Sequence, residues 1–296
     1  MNAHIRLLPA LALALMLCAC GGGDEGTTND QNGIADFNVS SPSVAPRVPQ
    51  SQDLSGQEFC KDQANGRLGS YLLVNNNWNK GAVTNYTSCL TMRPGADGSV
   101  SPTWRWDWPL SSNESIHAFP ELFFGQNPWF SSSTTAALPR VINTIKDVTA
   151  RFGAQVTHSN NGGGNFAFDI WITKASILAP GASNLPLHTE LMILLDEWGN
   201  FSPVGDKIGE TTIDGRDWNV YQITATWGPG PWQFVTYQPK QKPSSPYQVS
   251  VRLFLDDLIA RRVITGAEWL SSIDLGNEVI AGAGTTTLQD YSVEVR

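Results

Sequence analysis

Cationic surface, metal-ligand patterns and nucleophile motifs are what this chain has least of. The 19 Lys and Arg are outnumbered by 27 Asp and Glu, for a net charge of −8. No basic patch or aromatic-basic stripe is present to neutralise a phosphate backbone, which excludes nucleic acid as a partner. No Cys-x-x-Cys occurs, and His117, His158 and His188 lack metal-ligand spacing, so neither a metal nor an organic cofactor is expected. The absence of Gly-x-Ser-x-Gly, of Gly-x-x-x-x-Gly-Lys-Ser/Thr and of His-Glu-x-x-His argues against a serine hydrolase, a nucleotide enzyme and a zinc peptidase. Charged residues make up only 16% of the chain, against about 25% in ordinary soluble domains.

The apolar run from Leu7 to Leu17, behind His4 and Arg6, falls short of the ~20 residues that a spanning helix needs and reads as a secretory signal. It ends Leu17-Cys18-Ala19-Cys20-Gly21, which resembles the lipobox of bacterial lipoproteins. The resemblance makes Cys20 the lipidated N-terminal residue of an exported chain and, with Gly21 next to it, implies the outer membrane of a Gram-negative bacterium, or the extracellular space for a chain that is released. Residues 1–20 are therefore the expected signal peptide. Residues 21–55, rich in Gly, Asn, Ser, Thr, Gln and Pro, cannot offset their own ordering entropy and are expected to be a flexible tether. Residues 56–296 remain as one domain large enough for a sizeable core.

That domain is rich in aromatics. The chain carries 11 Trp, 27 Gly and 18 Pro, a profile suited to neutral, ring-shaped ligands. Short alternating runs separated by turn residues predict an all-β sandwich or barrel. Expected strands include 70–74, 103–108, 119–124, 165–174, 187–195, 216–226, 232–238, 271–280 and 286–294. One segment departs from this pattern: Val251, Phe254, Leu255, Leu258, Ile259 and Val263 recur at helical spacing, with Gly266 as the expected stop. Trp104, Trp106 and Trp108 share one strand face, and three stacked Trp are more often core than sugar platform. Cys60 and Cys89, the one cysteine pair outside the leader, are expected to close a disulfide loop of about 30 residues, contributing roughly 3 to 4 kcal/mol.

Three carboxylates sit mid-strand among apolar neighbours, where a charge is costly unless it is paired or lines a wet cleft. Glu190 shares a face with His188, Met192 and Leu194. Asp169 shares one with Trp171. Glu278 lies near Gly276 and Gly282, small residues expected to leave room for a substrate. Two carboxyls across a groove are what glycoside hydrolysis requires: one attacks the anomeric carbon, and the other, kept protonated, donates to the leaving oxygen.

Glu190-Leu191-Met192-Ile193, Gly276-Asn277-Glu278 with Gly282, and Ala118-Phe119-Pro120-Glu121-Leu122-Phe123-Phe124-Gly125 with Pro128-Trp129 together resemble glycoside hydrolase family 12. The match extends to Asp169, to Ser202-Pro203-Val204-Gly205, to Asn76-Asn77-Trp78 and to the Cys60 and Cys89 pair. The resemblance implies a β-jelly-roll sandwich with a concave substrate groove, one packed helix and a monomeric chain. It implies retaining endo-hydrolysis of β-1,4 bonds in a cellulose-like glucan, mixed-linkage β-glucan or xyloglucan. By position it makes Glu190 the nucleophile, Glu278 the acid/base and Asp169 the support of the nucleophile. Asn76, Trp78, Glu121, Trp129, Met192 and Pro203 would bind substrate, Glu121 being readable as substrate-binding or structural. Trp78 is the best platform candidate, with Asn75, Asn76, Asn77 and Asn79 offering partners to sugar hydroxyls. Leu194 stands where many fungal members carry Trp. The alternatives are a lectin-like carbohydrate-binding lipoprotein on the same fold and a related jelly-roll xylanase.

Overall fold

A computed structural model describes residues 55–112, 115–176, 185–228 and 230–296. The leader, Cys20 and the tether as far as residue 54 lie outside the described residues. In chain order the elements are β1 (Asn65–Leu68), β2 (Tyr71–Val74), β3 (Thr87–Pro94), β4 (Val100–Trp108), β5 (Glu121–Gly125), β6 (Arg140–Val141), β7 (Val148–His158) and β8 (Gly163–Thr173). They continue with β9 (Leu187–Trp198), β10 (Asp206–Ile213), β11 (Arg216–Ala225), β12 (Trp232–Pro239), β13 (Tyr247–Ser250), α1 (Val251–Ala260), β14 (Trp269–Gly276) and β15 (Val279–Val295).

Two sheets stack as a jelly-roll sandwich. The first runs β1-β2-β5-β14-β8-β9-β12-β11-β10, antiparallel except where β12 lies parallel to β9. The second runs β3-β4-β15-β7-β13. β15 joins them: it leaves β14 beside β8 at Val279 and Ala281, then pairs with β4 and β7 from Gly282 onward. Gly282 makes that corner with φ +85, where a Cβ would meet Gly162 Cα at 2.7 Å. Gly276 is hemmed in as tightly, since a Cβ there would meet Pro120 O at 2.5 Å. These two glycines therefore serve close backbone approach, not the substrate space expected of them.

The period-two pattern sorts each strand between core and groove. Phe166, Phe168, Ile170 and Ile172 of β8 and Leu191, Ile193 and Leu195 of β9 face the second sheet. There they meet Trp104, Trp106 and Trp108, all almost fully buried, with Val251, Phe254, Leu255 and Leu258 of α1 in the same cluster. Burying each such side chain is worth roughly 1.5–3 kcal/mol. The alternate residues Ala167, Trp171, Met192, Leu194, Trp232 and Phe234 form a separate cluster on the outer, concave face.

Three expectations need correction. The segment 271–280 is not one strand, because Asn277 and Glu278 break it into β14 and β15. The helix stops before Gly266: Arg262, at φ 62, donates its N–H to Ile259 O, and Val263 donates to Leu258 O, a Schellman closure with a non-glycine residue in the left-handed position. Strands β1, β3, β6, β7, β10 and β13 were not among those expected. β10 is mostly exposed, so little apolar alternation marks it. The disulfide between Cys60 and Cys89 is present.

Candidate active site

The concave face of β14, β8, β9 and β12 brings the three expected carboxylates together. Trp171 pairs with Glu190 and Asp169 with Met192 across β8 and β9, while Phe234 of β12 pairs with Glu190 on its other side. Glu190, one step along from Asp169 on the same face, lies within hydrogen-bond reach of that carboxyl. Trp232 Nε1 donates to Glu190 Oε2 at 2.6 Å.

Glu278 is held from the far end of β8. Asn165 Nδ2 donates to Glu278 Oε2 at 2.5 Å, Glu278 N donates to Asn165 Oδ1 at 3.2 Å, and Asn165 N donates to Glu278 O at 3.0 Å. The preceding residue anchors the turn: Asn277, fully buried, accepts from Trp104 Nε1 and Thr286 Oγ1 and donates to Asn165 O. Core tryptophan, turn and acid are thus one connected unit.

Electrostatics separate the two glutamates. Burial raises both, but Trp232 and Asp169 pull Glu190 back, and it rests at about 7. Burial and the charge of Glu190 push Glu278 up to about 8, with Asn165 alone opposing them. Asp169 is raised well above the usual carboxylate range by burial and by the charge of Glu190. Glu190 is therefore the first of the three to lose its proton, and Glu278 keeps its proton longer. A pair so arranged supplies one ionised carboxylate and one carboxylic acid to the same groove.

Aromatic side chains line both carboxyls. On the Glu190 side Trp129 meets Trp171 edge-on at 4.7 Å, Trp171 lies 6.1 Å from Trp232, and Trp232 lies 6.0 Å from Trp227. On the Glu278 side Trp78 packs on Ile116, Ile280 and Ala281. Pro203 sits partly buried between Phe201 and Val204, which pack on the concave cluster, and Met192 and Leu194 are floor residues within that cluster.

The profile of Glycosyl hydrolase family 12 matches residues 69–296. The chain belongs to that family.

Among its relatives is Endoglucanase S of Pectobacterium parmentieri, 27% identical over 231 residues, 76% of this chain and 82% of that one. An inactive glycoside hydrolase of Phytophthora nicotianae is 22% identical over 249 residues, 82% and 93% of the two chains. The native family 12 xyloglucanase from Bacillus licheniformis superposes with TM-score 0.69 at 21% identity, covering 81% of this chain and all of that one, which shows the shared fold. This family 12 chain is a glycoside hydrolase.

The asparagines around Trp78 differ from expectation. Asn75 donates to Cys60 O and Ser88 O, Asn77 to Asp62, and Asn79 to Ile116 O. Their amides are committed to the protein framework rather than offered to sugar hydroxyls. Asn76 Nδ2 donates to Glu121 Oε1 at 3.0 Å, and Glu121 is buried opposite Gly276. Two contacts of the carboxyls escaped the sequence reading. Asn165 lies near the start of β8, the strand that carries Asp169, and shares its face, a signal that period two contains. Trp232 reaches Glu190 only through the parallel pairing of β9 with β12, which no local pattern announces.

Proposed function

We propose that this enzyme cleaves β-1,4-glucosidic bonds within a glucan chain, retaining anomeric configuration by double displacement. Glu190 attacks the anomeric carbon and forms a glycosyl-enzyme ester. Glu278 first protonates the leaving sugar oxygen and then, as a carboxylate, takes a proton from the water that releases the product. Asp169, keeping its proton, donates a hydrogen bond to the ionised Glu190, and Trp232 Nε1–H fixes the same carboxylate. The observation that carries these roles is the asymmetry of donors: two on Glu190, one side-chain amide on Glu278. Stacking of sugar faces on Trp78, Trp129 and Trp171 positions the chain, with Met192 and Pro203 beside the cleavage point and Asn76 and Glu121 on the Glu278 side.

The names of relatives point to cellulose-like glucan and xyloglucan as the substrate class. The chain is also proposed to be exported and held at the outer membrane by lipid on Cys20, acting as a monomer.

Reducing-sugar release from barley β-glucan, carboxymethylcellulose, xyloglucan and xylan tests the reading. Cleavage of a glucan with the β-anomer appearing first, and its loss in Glu190→Gln, is expected. A 2-fluoro-glycoside inactivator should label the peptide containing Glu190; label on Glu278 instead, or initial α-anomer, would overturn the assignment. The second reading is a lectin-like binder on the same fold, which binding without cleavage would establish; one relative is named an inactive glycoside hydrolase.

A further inference from the structure

The concave face holds one buried acid to which the proposed chemistry gives no task. Asp274 lies midway along β14, with no exposed surface, directly opposite Asp169 on β8. Residues so opposed on one sheet face have Cβ atoms roughly 4.5–5.5 Å apart, so the two carboxyls are neighbours. Asn127 Nδ2 donates to Asp274 Oδ2 at 2.9 Å. Asp274 Oδ1, Asp169 Oδ1 and Ser272 Oγ are each buried without a geometrically good partner, the Ser272 hydroxyl lying close enough to Asp274 to act on its carboxyl. Two ionised carboxylates cannot satisfy one another, because both are acceptors only. A single proton on Asp274 converts its unmatched oxygen into a donor for the unmatched oxygen of Asp169.

The surroundings favour that proton. Asp274 faces Asp169 from β8, Glu190 from β9, Glu121 from β5 across the diagonal of the register, and Glu278 beyond the end of its own strand. All four are acids, and no Lys or Arg acts on Asp274. Burial, with the donors Asn127 and Ser272 opposing it and the charge of Glu190 adding to it, leaves Asp274 pushed up to about 8.

We propose that Asp274 is a positioning residue that stays neutral and donates to Asp169, which thereby directs its own proton onto Glu190. The result is a relay of two hydrogen bonds ending on the nucleophile. A donor on the carbonyl oxygen of a carboxylic acid polarises its O–H, so each link strengthens the next. This relay rests on Glu190 being the nucleophile, as proposed above.

Asp274→Asn and Asp274→Ala, with Glu190→Gln as control, are compared by the pH profile of kcat/KM on β-glucan. An amide mimics the neutral acid, accepting from Asn127 and donating to Asp169. Asparagine should therefore leave kcat within about three-fold and the acidic limb in place. Alanine should lower kcat about ten-fold or more with KM little changed, and should move the acidic limb upward as Glu190 loses support. A downward move of that limb by about one unit in Asp274→Asn would mean that a negative charge had been removed, and the relay would fall. Unchanged kcat and limb in Asp274→Ala would also overturn it, as would equal losses in both variants with the limb unmoved. Should alanine fail to fold, the asparagine profile alone decides. Activity retained in Glu190→Gln would sink the nucleophile assignment instead, a separate result.

Discussion

Replacing Glu278 by Gln should stabilise the protein at alkaline pH while destroying its activity. The carboxyl of Glu278 is raised from 4.5 to about 8 by burial and by Glu190. A group whose folded pKa lies above its unfolded value contributes stability below the unfolded value and loses it as pH rises through the folded one. The folded protein therefore loses stability between about pH 4.5 and pH 8 on account of this residue. At 1.36 kcal/mol per unit, the full shift amounts to ~5 kcal/mol. The side chain borders the groove and is not fully shielded, so about 2–4 kcal/mol is the realistic share. Gln keeps an oxygen to accept from Asn165 Nδ2 and carries no charge, so it escapes the penalty. For a domain of this size that corresponds to a rise in Tm of about 5–15 °C at pH 9, falling to almost nothing at pH 4. Scanning calorimetry of wild type and variant at both values measures it, alongside a fall in kcat of roughly 10²–10⁴ on polysaccharide. An equal Tm difference at both pH values, or a variant less stable at pH 9, would refute the burial argument.

Three further outcomes follow from other parts of the molecule. Trp232→Phe removes the Nε1–H donated to Glu190 Oε2; a lost hydrogen bond to a charged acceptor is worth ~1.5–3 kcal/mol. That should lower kcat/KM about 10- to 100-fold and move the acidic limb of its pH profile upward by about one unit, because the ionised form of Glu190 loses a donor. Cys60→Ser with Cys89→Ser opens a loop whose ends lie 29 residues apart and should cost about 3–4 kcal/mol, a Tm drop of about 10 °C, by chemical or thermal melts. Arg262→Gly relieves the left-handed backbone at the end of α1, where φ is 62; a gain of about 1 kcal/mol is expected in urea unfolding.

The pH–rate curve joins these residues. Glu190, Asp169 and Asp274 titrate as an interacting set, so the limbs of the profile belong to the cluster rather than to single groups. What is assignable is order: Glu190 ionises before Glu278. Activity is therefore expected to be bell-shaped, rising as Glu190 deprotonates and falling as Glu278 does.

Much of this was legible before any coordinates. Period-two alternation placed Trp104, Trp106 and Trp108 in the core and set Glu190 on the face opposite Leu191 and Ile193, because strand geometry makes neighbours face opposite ways whatever the fold. The helical stripe of α1 was legible for the same kind of reason, though its end was not. Gly266 is the better stop by propensity, but the chain turns at Arg262, where the Schellman bonds to Leu258 and Ile259 close first. The asparagine run around Trp78 misled because an amide reads alike whether it serves a ligand or the framework. Only the folded neighbourhood of Asn75, beside Cys60 and Ser88, distinguishes them.

By itself the sequence determined which residue types were available, which face of each expected strand carried them, and that no serine-hydrolase, nucleotide-binding or zinc-peptidase motif competed with the carboxylates. Those are consequences of local geometry and composition. The tertiary structure decided which carboxylate would ionise first, since proton affinity depends on burial and on donors from strands distant in the chain. Trp232 lies 42 residues from Glu190 and Asn165 lies 113 residues from Glu278, so it is strand pairing, not adjacency, that brings each donor to its acid.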